Sequence, residues 1–240
     1  MRRMLGTRII FVDGLPGSGK STTAQYVAGA LEQRGIRYRL LREREPDHPL
    51  NVGTDLHPSG STTGARMFAA YTIGSFVEES LARWNAFVAE AKGSELVNVL
   101  DSHPFQNSVR VLSQMDADPV MMAAYQSRVE ERAAELGPVL IYLDPGDAER
   151  TIRAIAEQRG PAWTNYMIAV VTECPYASSR RLQGMDGAVA IMRAYKHLLD
   201  DSVARFPFPK LVLSDCHRRW QDCHARILQF LELHLLPHGP

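Results

Sequence analysis

A glycine-rich stretch near the start of the chain, DGLPGSGKSTTA at residues 13–24, constrains the fold more than any other feature. An apolar run of strand length at residues 8–12 precedes it, and an amphipathic helical pattern over residues 22–33 follows it. The stretch contains G-x-x-x-x-G-K-[ST] in the strand-to-helix context that a phosphate-binding P-loop requires. Glycines permit a tight turn whose N–H groups point inward at an anion. The sequence therefore predicts a P-loop.

The predicted P-loop assigns roles to particular side chains. Lys20 is expected to reach the β and γ phosphates of ATP, and the Ser21 hydroxyl is expected to bind Mg²⁺. The start of the following helix adds the positive end of its dipole. The residues expected to contact the phosphates are Gly14, Leu15, Pro16, Gly17, Ser18, Gly19, Lys20, Ser21 and Thr22. The predicted cofactors are thus ATP and Mg²⁺.

Short apolar runs alternate with helical patterns along the rest of the chain. The predicted strands cover residues 8–12, 37–41, 96–100, 139–143 and 210–213. The predicted helices cover residues 22–33, 65–91, 119–136, 147–158, 163–173, 186–205 and 219–235. Because parallel strands need crossover connections, this alternation predicts an α/β P-loop NTPase fold with a five-stranded parallel sheet and helices on both faces. A chain of 240 residues, 45% of them apolar, is expected to form a single domain over residues 1–240.

Charge and cysteine content set expectations about partners and compartment. The 27 basic and 27 acidic residues balance, so no global field favours nucleic acid or an anionic membrane. The three cysteines, Cys174, Cys216 and Cys223, are sparse and lack metal-ligand spacing, which favours a reducing compartment over a disulfide framework. The first residues fit neither a signal peptide nor a membrane span. We therefore expect a cytoplasmic protein without nucleic-acid or membrane partners.

A carboxylate, Asp101, ends the third predicted strand at the sheet edge where the P-loop should also lie. Asp101 could hold Mg²⁺, directly or through water, or take the proton of an attacking hydroxyl. The alternative is a turn former or a helix cap. His103 and Gln106 follow in the stretch DSHPFQNSV and are candidates for binding a second substrate.

Acidic residues also follow the second predicted strand, at the start of a polar segment over residues 44–64 that is too long for an ordinary connection. Glu43, Glu45 and Asp47 stand there beside His48. Glu43 is the candidate catalytic carboxylate, and the other three are candidates for binding the substrate. The alternative for any one acidic residue is a solvated surface charge. The segment is predicted to be either a substrate loop or a disordered insertion.

Arginines cluster between the fourth and fifth predicted strands, over residues 147–181. Arg150 and Arg153 lie three residues apart on one predicted helix, and Arg159 follows at its end. Surface charges are the alternative interpretation. In a P-loop protein this position suits a mobile lid that excludes water and stabilises the transferring phosphoryl group. Arg150 is thus a candidate nucleotide contact, and Arg153 and Arg159 are candidate catalytic residues.

Three of these segments together resemble the P-loop kinases that include thymidylate kinases and deoxynucleoside kinases: DGLPGSGKSTTA, the REP at residues 44–46, and YLDPGDAERTIRAIAEQRG at residues 142–160. The resemblance covers nearly the whole chain and is closest to bacterial members described only as ATP-binding or kinase-like. In thymidylate kinases an Asp-Arg pair after the third strand helps bind the acceptor monophosphate. Asp101 and Ser102 stand at that position here. This departure favours a nucleoside or another hydroxylated acceptor over thymidylate.

These observations predict an ATP- and Mg²⁺-dependent phosphotransferase that acts on a small molecule such as a nucleoside, a nucleotide or another hydroxylated metabolite. An ATPase that drives a partner's conformational change is the alternative, because a P-loop alone does not distinguish the two. The sequence disfavours a GTPase, because the chain lacks Asn-Lys-x-Asp and Asp-x-x-Gly motifs. The sequence leaves open whether the chain forms a homodimer.

Overall fold

The structure is a computed structural model that describes residues 6–53, 68–216 and 219–235. Its sheet has five strands: β1 (Ile9–Gly14), β2 (Tyr38–Leu41), β3 (Val97–Asp101), β4 (Pro138–Asp144) and β5 (Lys210–Ser214). All neighbouring pairs are parallel, in the order β2-β3-β1-β4-β5. The predicted α/β fold with a five-stranded parallel sheet is confirmed, and each strand lies close to its predicted position.

Helices connect successive strands as crossovers, and the last helix follows β5. They are α1 (Lys20–Gln33), α2 (Ile73–Lys92), α3 (Val109–Gln114), α4 (Pro119–Ala133), α5 (Ala148–Thr172), α6 (Pro175–Arg180), α7 (Gly184–Arg205) and α8 (Trp220–Leu235). The short helices α3 and α6 were not predicted. Residues 54–67, which include most of the predicted substrate loop and the start of the helix predicted at 65–91, lie outside the described residues.

Both faces of the sheet are covered, because successive side chains of a strand point to opposite faces. Ile10 and Val12 pack among apolar residues of α1 and α8. Ile9 and Phe11 belong to the opposite cluster, with residues of α2, α4 and α7. The Phe11 ring meets Trp84 of α2 edge-on, with centroids 6.1 Å apart. Buried apolar runs on both faces are typical of a parallel sheet.

Strand order brings the predicted site residues to one edge of the sheet. β1 lies between β3 and β4, so Val12 is in register with Asp101 and Gly14 with Leu143. The loops leaving β1, β2 and β3 therefore meet at the carboxyl ends of the strands, where α/β proteins bind ligands.

Helix α5 joins two segments that were predicted as separate helices. Gly160 interrupts it with non-helical angles (φ 80°, ψ 178°), and Pro161 follows. These angles are open almost only to glycine, so the backbone bends between the two halves. The Thr164 hydroxyl donates to the carbonyl oxygens of Ala156 and Gly160 and so satisfies acceptors at the bend.

The expectation that the cysteines form no disulfide is wrong for one pair. Cys216 follows β5 and Cys223 lies in the first turn of α8, and a disulfide joins them across Cα atoms 5.8 Å apart. Cys174 is free and buried. Spacing alone could not show the pairing, because it depends on α8 folding back onto β5. Within the described residues, no helix is long and apolar enough to cross a membrane.

Candidate active site

The glycine loop, residues 14–19, leaves β1 and enters α1 through three glycines with positive φ. Gly14, Gly17 and Gly19 have φ values of 153°, 86° and 95°. A Cβ at Gly14 would lie 2.5 Å from the carbonyl oxygen of Leu143, so a side chain there would force the loop away from β4. The hydroxyl of Ser18 is buried without a hydrogen-bond partner in the described structure. The loop therefore has both the conformation and the spare hydrogen-bonding capacity of an anion cradle.

Lys20, the first residue of α1, is buried beneath the glycine loop. Its Nζ donates to the carbonyl oxygen of Leu15 at 3.0 Å. Burial lowers the pKa of Lys20, and the carboxylates of Glu43, Asp13 and Asp101 oppose that shift. The site thus holds one buried cation among three acidic groups, next to the backbone that would receive phosphates.

Ser21 and Asp101 form an oxygen pair at the start of α1. The Ser21 hydroxyl donates to Oδ2 of Asp101 at 2.7 Å. Burial raises the pKa of Asp101, and the hydrogen bond from Ser21 opposes this only in part. Within residues 6–53, 68–216 and 219–235 no group of three or more His, Cys, Asp or Glu side chains could hold a metal ion. The pair nevertheless fits Mg²⁺, which is commonly held by one or two protein oxygens together with substrate phosphates and water.

Glu43, just after β2, faces the loop that follows β3. Its Oε1 accepts from Nε2 of Gln106 at 2.7 Å, and its Oε2 accepts from the Ser102 hydroxyl at 3.2 Å. Burial alone would raise the pKa of Glu43, but the charges of Lys20, Arg110 and Arg44 outweigh it and the pKa is lowered. Glu43 is therefore an ionised acceptor at neutral pH.

A cavity of about 620 Å³ opens between the glycine loop, the segment after β2 and helix α5. Of the predicted residues it is lined by Pro16, Gly17, Gly19, Lys20, Ser21, Thr22, Glu43, Asp101, Gln106 and Arg159. The structure thus brings the predicted phosphate loop and the predicted acceptor carboxylate to one space.

The cavity is also lined by arginines and aromatic rings that the sequence analysis did not single out. Arg110 of α3 donates through Nε to the carbonyl oxygen of Gln106 and through Nη1 to the Gln114 side chain at 2.6 Å. Arg44 lies 5.9 Å from the ring centre of Tyr166, and Arg42 and Trp163 also line the cavity. Arg110 was missed because α3 is short. Its position four residues after Gln106 was the only available signal.

Four residues predicted to bind substrate lie outside the cavity lining. His48 and His103 are buried and stacked with ring centres 4.8 Å apart. Burial lowers the pKa of His48 to about 4 and that of His103 to about 3, so both rings are neutral at physiological pH. Oε2 of Glu45 accepts from the Arg42 amide, and Asp47 occupies a turn with φ 61°. His48, Glu45 and Asp47 lie in the segment after β2, and His103 lies after β3, where it stacks on His48.

The arginines of the predicted lid separate into two groups. Arg159 lines the cavity and lies 5.3 Å from the ring centre of Trp163. Arg153 is exposed and pairs with Glu149 and Asp186, and the exposed Arg150 does not line the cavity. In this conformation Arg159 alone of the three reaches the space above the glycine loop.

A solved structure shares the fold over nearly the whole chain. It is the YorR protein of Bacillus subtilis, in complex with phosphorylated GDP, which matches with a TM-score of 0.51 and 13% sequence identity. The match covers 96% of this chain and 99% of YorR. No protein-family model matches the sequence, and neither does any curated protein. At this identity the likeness shows a common fold.

Proposed function

We propose that the protein is an ATP- and Mg²⁺-dependent phosphotransferase that acts on a nucleoside, a nucleotide or another hydroxylated small molecule. One observation carries the proposal. The glycine loop with Lys20 and the Ser21–Asp101 pair open onto the same cavity as Glu43, Gln106 and Arg110. A site that only hydrolysed ATP would not need these additional polar side chains facing the phosphate-binding loop.

The glycine loop would hold the phosphates of ATP through its backbone N–H groups, with Lys20 supplying a buried positive charge. Ser21 and Asp101 would hold Mg²⁺, which when bound neutralises charge on the phosphates. Arg159 stands opposite the loop and would stabilise negative charge on the phosphoryl group as it is transferred. In YorR, the related fold binds phosphorylated GDP, which supports a nucleotide in this site.

Glu43 is the carboxylate that would face the acceptor. It is ionised, lines the cavity and is held by the Gln106 amide, so it can accept a hydrogen bond from an acceptor hydroxyl. Burial raises the pKa of Asp101, but its hydrogen bond with Ser21 reserves it for the metal side. We therefore assign acceptor binding to Glu43 and metal binding to Asp101.

Arginines on the acceptor side extend the range of acceptors beyond neutral nucleosides. Ser102 stands where an arginine would hold an acceptor monophosphate in thymidylate kinases, yet Arg44 and Arg110 line the cavity nearby. Their guanidinium groups suit a phosphate or carboxylate. The planar side chains of Trp163 and Tyr166 suit stacking against a base.

The test measures ADP release with MgATP and a panel of nucleosides, nucleoside monophosphates and hydroxylated amines. We expect slow release without an acceptor and at least tenfold stimulation by one class. Lys20→Ala should abolish transfer and ATP-analogue binding, and Ser21→Ala should raise the Mg²⁺ concentration that transfer requires. Lys92→Ala, at an exposed lysine paired with Glu135, is the matched control. Fast hydrolysis that no acceptor changes would instead identify an ATPase.

A further inference from the structure

The carboxyl group of Asp13 is completely buried in β1, immediately before the glycine loop. Its Oδ1 accepts from the Gly14 amide at 2.7 Å. Its Oδ2 accepts from the amides of Phe105 and Gln106, at 2.7 Å and 3.2 Å. Because both oxygens accept from N–H donors, replacing either of them by an amide nitrogen would lose at least one hydrogen bond.

These three hydrogen bonds join two parts of the cavity lining, the glycine loop and the loop after β3. Gly14 begins the glycine loop, and Gln106 holds Glu43 through its side chain. A further main-chain hydrogen bond between the loop after β3 and β1 comes from the Ser102 amide, which donates to the carbonyl oxygen of Val12 at 2.9 Å. Asp13 therefore links the backbone that would hold phosphates to the residue that orients the acceptor carboxylate.

Burial makes the ionised form of Asp13 unfavourable in the folded protein. Burial raises the pKa of Asp13 to about 6, although Lys20 of α1 and the three amides act to lower it. Tyr142 of β4 and Tyr195 of α7 also face Asp13, and both are neutral phenols. Because the folded-state pKa lies above the ordinary value of 3.8, this group favours folding at low pH, and the benefit is lost as the pH rises through about 6. At neutral pH the buried carboxylate costs stability.

We propose that Asp13 is a positioning residue, whose carboxylate holds the glycine loop and the Phe105–Gln106 backbone at one fixed separation. It contacts neither substrate and acts through Gly14 and Gln106. The inference rests on the proposed phosphotransferase function, in which Gln106 sets the place of Glu43 relative to the phosphates. Small errors in such placement can cost about 100-fold in rate.

The first experiment follows backbone amide resonances of the full chain by NMR from pH 4 to pH 8. The amides of Gly14, Phe105 and Gln106 should titrate together, with a midpoint near pH 6. Asp13→Asn, which cannot titrate, should abolish that common titration. A common titration that persists in Asp13→Asn, or three amides that titrate with different midpoints in the wild type, would overturn the proposal. This result does not depend on which reaction the protein catalyses.

The second experiment compares kinetics. Asp13→Asn should lower kcat about 100-fold while the KM for ATP changes less than about threefold, because the acceptor side is misplaced and the phosphate cradle remains. Asp13→Glu, which keeps the charge on a longer side chain, should recover part of the loss. Asn98→Ala removes a buried polar group that donates to the Arg8 carbonyl, and serves as the matched control for lost stability. Its kcat should stay at the wild-type value.

Wild-type kcat in Asp13→Asn would contradict the inference, as would equal losses of kcat and stability in Asp13→Asn and Asn98→Ala. If the wild type transfers no phosphoryl group to any acceptor, the proposed function fails. The amide titration then still decides whether Asp13 joins the two loops. If Asp13→Asn does not fold, the wild-type titration and Asp13→Glu provide the decision.

Discussion

At the residue scale, the acidic residues after β2 differ in environment although the sequence places them side by side. Glu43 lines the cavity and is held by Gln106 and Ser102. Glu45, two residues later, accepts a hydrogen bond from the Arg42 amide and does not line the cavity. Local sequence cannot separate the two, because their difference depends on the loop after β3. The structure therefore gives a sharper assignment than the spacing allowed.

Glu43→Gln should lower kcat about 100-fold with little change in ATP affinity, because it removes the charge that would orient the acceptor hydroxyl. Glu45→Gln is the matched control and should retain kcat within about twofold. Steady-state kinetics with the best acceptor, together with calorimetric titration of an ATP analogue, measure both effects. Equal losses in the two variants would show that the segment after β2 acts as a whole and that Glu43 has no separate role.

At the element scale, the features that could be predicted from the sequence are those that a contiguous run of residues determines. The strands were found because buried parallel strands are short continuous apolar runs, and the glycine loop was found because its motif is contiguous. Arg110, the bend at Gly160 and the Cys216–Cys223 pair were not found. Each of them depends on residues that are brought together by the fold, or on a backbone angle that no periodicity records.

Helix α5 provides a contrast between two arginines on one element. Arg159 lines the cavity, whereas Arg153 is held outside it by Glu149 and Asp186. Arg159→Ala should lower transfer about 100-fold, the effect expected when a cation near the transferring group is lost. Arg153→Ala should change transfer less than about threefold, since exposed ion pairs contribute little. Single-turnover rates measure both, and a larger loss in Arg153→Ala would show that the helix turns when substrates bind.

The disulfide between the end of β5 and α8 gives a prediction about stability. Replacing both Cys216 and Cys223 by Ser should lower the free energy of unfolding by about 2 kcal/mol, the scale for closing a short loop. Thiol titration of the unfolded, unreduced protein should find one thiol, that of Cys174, and the full set of three after reduction. Three thiols before reduction would show that the pair is not bonded in solution and would favour the reducing compartment expected from the sequence.

At the scale of the whole molecule, the cavity lies between the sheet, whose strands are paired, and helix α5, whose backbone bends at Gly160. The ends of β1 and β3 are fixed by strand pairing, while α5 reaches over the cavity and bends at Gly160. The distal half of α5 is tied back to α3, because the Gln114 amide donates to the carbonyl oxygen of Val170 at 3.2 Å. The Gln114 side chain also accepts a hydrogen bond from Arg110. A continuous series of hydrogen bonds therefore links the distal half of α5 to the acceptor side of the cavity. A change in the bend at Gly160 would therefore move Arg159, which lies before the bend, relative to the acceptor side.

Hydrogen exchange across residues 148–172 is the measurement that tests whether this movement closes the cavity. We expect the amides near Gly160 to exchange faster than those of β1 and β4 in the free protein, and to become protected only when an ATP analogue and an acceptor are both present. Closure of this kind would keep water from the γ-phosphate until an acceptor fills the cavity, so ATP hydrolysis without acceptor should be slow. Gly160→Ala, which disfavours the φ of 80°, should weaken the protection and lower acceptor-stimulated turnover, while Gly35→Ala, a positive-φ glycine at the end of α1 with open space around it, is the matched control. Equal protection of residues 148–172 in every state, combined with fast hydrolysis in the absence of acceptor, would contradict the lid and favour an ATPase.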